Sequence, residues 1–269
     1  MKQPCSRNSL ARHPGHLEAL RSEQAAAFDR DGYLVVPGLC PDSICDRLVE
    51  DAHAALSPVL GPAEFEADLG YPGAPPDRGA KGGDTPRRLL HAYARFSALR
   101  PWLTGAEVKG HLQALLGSEN VALSQCHHNC IMTKYPNYSS ITLWHQDVRY
   151  WSFQRPELVS LWLALGAERA ENGALQVIPG SHRKAFTAEL LDDALFLRTD
   201  VPEGRALVDQ AITVELNRGD ALFFHCRTLH AARKNQTDRV KLSAVFTYHD
   251  QDNRPVPGTK SAQYASIAL

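Results

Sequence analysis

After its first third the chain breaks into many short runs rich in Val, Leu, Ile, Thr and aromatic residues, and this rhythm constrains its fold more than any other feature. The runs are 121–133, 141–147, 158–165, 174–178, 211–216, 221–225 and 240–248, punctuated by Asn172-Gly173, Pro179-Gly180 and Gly219-Asp220. Runs this short between turn residues read as strands, and so many of them imply a β-sandwich or barrel. Asn172-Gly173 predicts a type I′ hairpin turn. Helical spacing is confined to the earlier part of the chain, at Leu17–Asp31 up to Gly32, from Pro41-Asp42 towards Leu56, and at Leu99–Leu116. Tyr33–Val36 forms a short strand between the first two helices. The expected fold is mainly β with flanking helices.

With 43% hydrophobic and 22% charged residues, the 269-residue chain can bury a sizeable core, and a single domain over 1–269 is expected. Residues 1–17 read as a loose N-terminal arm. Residues 57–86 carry Pro58, Pro62, Pro72, Pro75, Pro76 and Gly82-Gly83 with little periodicity. A loop that long in a compact domain is disordered or functional, and here it reads as a mobile cover over an active site.

A formal net charge of −1 gives no electrostatic reason for a nucleic-acid or anionic-membrane partner. No apolar run approaches the roughly 20 residues that span a bilayer. The N-terminus has no apolar block of the signal-peptide kind, so a cytoplasmic protein is expected. The six cysteines show no disulfide-framework spacing and read as reduced, mostly buried side chains.

The strongest local signal is Trp144-His145-Gln146-Asp147. On a strand, residues i and i+2 share a face about 6–7 Å apart, so His145 and Asp147 can address one point. Two histidines and one carboxylate on a common face mark non-haem iron(II) oxygenases. His230, after the run Ala221-Leu222-Phe223-Phe224, is the best third ligand. Taken alone, a His-x-Asp pair often arises by chance. Cys126, His128 and Cys130 also share a face, but along one extended strand they could hardly converge on a tetrahedral zinc. That stretch reads better as a strand whose inward residues, such as Gln125 or Asn129, line a pocket. His91, His225 and His249 lack partner spacing and read as surface or packing residues. Arg149, Tyr150 and Trp151 could face a substrate or pack.

Around this pair the chain closely resembles the phytanoyl-CoA dioxygenase family of 2-oxoglutarate oxygenases. The resembling residues are His145-Gln146-Asp147, Trp162-Leu163-Ala164-Leu165, Asn172-Gly173-Ala174-Leu175, Pro179-Gly180-Ser181-His182, Gly219-Asp220, His230, Asn235 and Tyr248. The opening Phe28-Asp29-Arg30-Asp31-Gly32-Tyr33 is also similar to that family's. The resemblance implies a double-stranded β-helix (jelly-roll, cupin-like) core and an iron(II) held by His145, Asp147 and His230. It implies 2-oxoglutarate as co-substrate, dioxygen as oxidant, and hydroxylation of a small molecule with release of succinate and carbon dioxide. His182 then belongs to a structural turn, and Trp162 stands near the co-substrate.

Two positions depart from the family pattern. Eleven residues after His230, where relatives carry an arginine for the far carboxylate of 2-oxoglutarate, stands Lys241, which loses the bidentate fork. Arg239 competes for that role from the same strand face. Ala232 replaces a frequent serine. Asp147 is retained, which argues against halogenation. Desaturation, cyclisation or epimerisation, a non-catalytic jelly-roll binding protein, and a zinc hydrolase using the same three side chains are the rival readings. The tail 251–269 offers no motif.

Overall fold

Thirteen strands make up two antiparallel sheets in the computed structural model, which describes residues 14–269. They are β1 (Tyr33–Val36), β2 (Ala63–Phe65), β3 (Pro86–Leu90), β4 (Val121–Ser124), β5 (Cys130–Lys134), β6 (Thr142–His145) and β7 (Leu158–Ala164). There follow β8 (Leu175–Val177), β9 (Ile212–Thr213), β10 (Ala221–His225), β11 (His230–Ala232), β12 (Lys241–Asp250) and β13 (Ile267–Ala268). The larger sheet runs β1-β10-β7-β12-β5-β3-β2, with β4 joined to β12 and β13, and the smaller runs β6-β11-β8-β9. Apart from β2 with β3 and β8 with β9, paired neighbours are not consecutive in the chain, as a jelly roll requires.

Strand alternation explains the layers. On the larger sheet Leu161, Leu163, Phe223, Ala244 and Phe246 face the helices, packing with Leu48, Leu99, Leu103 and Leu112. The alternate residues Trp162, Ala164, Leu222, Phe224 and Val245 meet Leu175, Val177 and Ala232 of the smaller sheet. Because β7 is covered on both faces, all seven of its residues are buried, and all are apolar except Ser160, whose hydroxyl is bonded to Asp147. Each such Leu or Phe stabilises the fold by roughly 1.5–3 kcal/mol.

Helix α1 (Pro14–Asp31) ends at Gly32, whose φ of 80° and close approach to His182 and Thr228 exclude any Cβ. The His182 ring closes this corner by donating from Nε2 to the Asp29 carbonyl at 3.0 Å. Helix α2 (Asp42–Leu56) follows β1.

Several expectations are corrected. Residues 14–17 belong to α1 rather than to a loose arm, and the rest of that arm lies outside the described residues. The helix expected over 99–116 breaks at Thr104-Gly105 into Arg100–Leu103 and Ala106–Leu116. The run 121–133 is two strands separated by a loop in which His128 takes a φ of 21°. Asn172 is not in the left-handed region, so Asn172-Gly173 is no type I′ turn. Instead a 3₁₀ turn at Ala170–Asn172 ends on Gly173, with the Asn172 side chain accepting from Arg169 N at 2.8 Å. Residues 57–86 contain β2 and a 3₁₀ turn at Glu66–Asp68, whose Glu66 is buried against Arg87 at 3.1 Å.

Candidate metal centre and its two cavities

His145 and His230 stand directly opposite each other on β6 and β11. The strand expected to run through Asp147 stops at His145, and Asp147 opens a 3₁₀ turn over Asp147–Tyr150. Val148 N donating to the Cys226 carbonyl at 3.1 Å, and the Gln146 side chain bonding the Arg227 carbonyl, tie this turn down. The turn places the carboxylate beneath the two imidazoles. Nε2 of His145 is 3.7 Å and Nε2 of His230 is 3.6 Å from Oδ1 of Asp147.

Hydrogen bonds fix the tautomers. Nδ1 of His145 lies 2.7 Å from the Leu143 carbonyl, and Nδ1 of His230 lies 3.0 Å from the Thr228 carbonyl. A carbonyl accepts only, so both Nδ1 atoms carry the proton and both Nε2 atoms present lone pairs to Asp147. Burial, then the neighbouring His230, pushes the His145 imidazolium down to about 3, so the ring is neutral at ordinary pH. Burial alone would raise the Asp147 carboxyl. His128, His230 and His145, with the Ser160 hydroxyl, outweigh it and hold the group below its usual range. Oδ2 accepts from Ser160 Oγ at 3.2 Å, with His128 Nδ1 at 3.5 Å, while the buried Oδ1 has no hydrogen-bond partner.

An orphaned carboxylate oxygen facing two imidazole lone pairs, all within 4.8 Å of one another, fits a divalent metal. Among the described residues this is the one cluster of three metal-ligating side chains. Cys126, His128 and Cys130 do not converge. The Cys126 thiol is engaged with the Tyr264 backbone, and His128 turns to Asp147.

Two cavities meet at the histidine ligands, His145 lining both and His230 the inner one. The inner one is lined by Trp162, Leu175, Phe224 and Ala232 and holds the basic residues Arg87, Arg88, Lys134 and Lys241. Lys241 is buried and bonds Glu168 Oε2 at 2.9 Å, while Trp162 Nε1 and Ser243 Oγ donate to Glu168 Oε1 at 2.9 and 2.6 Å. Arg239 is exposed, precedes β12 and takes no part in this wall. The outer cavity, about 510 Å³, is reached by His145 and walled by Tyr71, Tyr150, Trp151, Arg88 and Tyr264.

Gln125 and Asn129 line the outer cavity from the loop between β4 and β5, not from a strand. Gln125 bonds the Ala265 carbonyl, and Asn129 accepts from Tyr93 N, so both also hold backbone. His91, read as packing, borders the same space. So do Lys260 and Tyr264 of the tail. His225 and His249 pack away from the centre, against His182 and Phe153. The loop residue Glu168, and Arg88 and Lys134 on β3 and β5, were not singled out by sequence pattern, and His128 was weighed only as a zinc ligand, not as a partner of Asp147.

The family description "Phytanoyl-CoA dioxygenase (PhyH)" matches residues 28–243. The chain belongs to this family. An ectoine dioxygenase of Sphingopyxis alaskensis is 25% identical over 252 residues, spanning 87% of this chain and 78% of that protein. The peroxisomal phytanoyl-CoA dioxygenase of Homo sapiens is 23% identical, over 89% of this chain and 72% of its own length. Among solved structures, EctD from S. alaskensis with 2-oxoglutarate and 5-hydroxyectoine superposes with a TM-score of 0.70 at 22% identity, covering 87% of this chain and 77% of that one. The epimerase SnoN, in complex with Fe3+, alpha ketoglutarate and nogalamycin RO, gives 0.69 at 23% identity, covering 90% and 92%. The fold is therefore the jelly roll of these enzymes, and this family member is a 2-oxoglutarate-dependent non-haem iron oxygenase. Among the described residues no helix is long and apolar enough to cross a membrane.

Proposed function

We propose that this oxygenase hydroxylates a C–H bond of a small molecule held in the outer cavity, with iron(II) on His145, Asp147 and His230 and 2-oxoglutarate in the inner cavity. The observation that carries the reading is the donor set, two fixed Nε2 lone pairs and an unpartnered, buried Asp147 Oδ1. Iron with 2-oxoglutarate and dioxygen supplies the oxidising chemistry.

The chain's own residues bind, orient and keep water out. Carbonyls of Leu143 and Thr228 lock the imidazoles, while Ser160 and His128 steady the carboxylate through Oδ2. Such outer contacts typically change metal affinity or activity by roughly 10–100-fold. Trp162, Leu175 and Phe224 give the inner cavity a dry wall. The Tyr71 and Tyr150 hydroxyls, 3.0 Å apart, join the Pro/Gly-rich segment to the turn beside the metal ligands. That contact supports the reading of residues 57–86 as a cover. Lys241 contributes to the seat of the distal carboxylate, and Arg239 does not.

The test is anaerobic titration of the protein with iron(II) and 2-oxoglutarate, watching for a metal-to-ligand charge-transfer band, followed by succinate release on aeration. A band in the wild type that is lost in His145→Ala is the expected result. No band in the wild type would sink the assignment of the two sites.

A further inference from the structure

We infer that Lys134 and Lys241 form a paired-lysine anion seat in the inner cavity, and that Lys134 supplies its net positive charge and takes the distal carboxylate of 2-oxoglutarate. This rests on the proposal that the inner cavity receives the co-substrate.

Lys241 on β12 is the direct partner of Lys134 on β5. Like charges opposite each other in a sheet repel, and burying both raises the cost unless anions accompany them. Glu168 accompanies Lys241 at 2.9 Å. The other cations of the cavity wall are matched in the same way, Arg87 with Glu66 at 3.1 Å and Arg88 with Glu64 at 3.5 Å. Asp147 is committed to the metal centre. Four cations thus face three carboxylates, and among the described residues Lys134 has none within ion-pair distance.

Lys134 is nevertheless only 8% exposed. Its ammonium has three N–H groups, and one of them donates to the Ser140 carbonyl at 2.8 Å. The side chain lines the same cavity as His145 and His230. A dianionic keto acid whose other end meets the metal brings one negative charge to this wall, and one is what the ledger lacks. Lys241, held by Glu168 and Ser243, keeps one N–H for the same carboxylate but adds no net charge.

Burial, reinforced by Arg87 and Lys241, lowers the Lys134 ammonium to about 7. Lys234 acts in the same sense and Glu66 opposes it. The seat is therefore charged below about neutral pH and loses its proton above it. Occupation by a carboxylate favours the protonated form.

The experiment measures binding by anaerobic calorimetry on the iron-loaded protein, using 2-oxoglutarate and 2-oxopentanoate, which lacks the distal carboxylate. Lys134→Met should weaken 2-oxoglutarate by roughly 10- to 150-fold, the scale of a charged hydrogen bond. It should leave 2-oxopentanoate within about twofold and raise the thermal midpoint, because a buried unmatched charge is gone. The wild type should lose 2-oxoglutarate affinity above neutral pH, and Lys134→Arg should retain binding and remove that decline. Unchanged 2-oxoglutarate affinity in Lys134→Met would place the seat elsewhere. Equal losses for both keto acids would reduce Lys134 to a wall residue. Wild-type protein that bound neither keto acid would overturn the co-substrate reading and the seat with it.

Discussion

The ammonium of Lys241 and the carboxylate of Glu168 meet at 2.9 Å with side-chain exposures of 4% and 0%, so the basic residue that family resemblance assigns to 2-oxoglutarate already has a partner of its own. Removing one member of a buried pair strands the other. Lys241→Met should therefore cost about 3–5 kcal/mol of stability in urea unfolding, before any effect on the co-substrate is read. Adding Glu168→Gln should recover most of that loss. Arg239→Ala, on an exposed residue, should change stability by no more than about 0.5 kcal/mol and leave 2-oxoglutarate binding as it was. A stable Lys241→Met, or a large effect at Arg239, would reverse these roles.

The metal ligands give a second expectation. His145→Ala, Asp147→Asn and His230→Ala should each abolish turnover and leave iron content after gel filtration near background, with the fold preserved. Asp147→Asn keeps the shape of the side chain while removing its charge, and its circular dichroism should match that of the metal-free wild type. Ser160→Ala, which removes one support of Oδ2, should weaken iron binding by roughly tenfold. Full iron retention in any of the first three would remove that residue from the ligand set.

These residues also mark what sequence can and cannot convey. His145 and Asp147 were legible because strand periodicity puts i and i+2 on one face, although the strand in fact ends at His145 and a turn delivers Asp147. Sheet layers were legible from short apolar runs, since packing between two sheets leaves no other use for them. Glu168 was not, because it lies in the loop after β7, where no period links a residue to its neighbours. Lys134 looked like any strand-end lysine until register set it opposite Lys241. Tyr71 in the Pro/Gly-rich stretch, and Lys260 and Tyr264 in the tail, reach the outer cavity through long-range folding that no local pattern encodes.

A third expectation concerns the cover. Arg78 and Lys81 are exposed within residues 57–86, so trypsin should cut first after one of them. Tyr71→Phe removes a hydroxyl bond to Tyr150 and should speed that cleavage. If the segment closes on the loaded site, saturating 2-oxoglutarate with true substrate should slow it. Cleavage unaffected by either ligand would count against a gating role.

The last expectation is a pH dependence of stability set by Lys134. The group has a folded value of about 7 against an unfolded value of about 10.4. Between these limits the unfolded chain binds the extra proton, so stability rises as pH rises through that window. Below about pH 7 both states are protonated at this site and the penalty for burying the charge is fully present. The penalty has its cause in burial, with Arg87, Lys241 and Lys234 adding to it and Glu66 relieving part. Lys134→Met carries no such proton. Its stability advantage over the wild type should be on the order of a few kcal/mol near pH 6, shrink steadily above neutrality, and vanish near the unfolded lysine value. Urea unfolding of the metal-free proteins across this range measures the difference directly, and a difference independent of pH would show that Lys134 stays protonated in the fold.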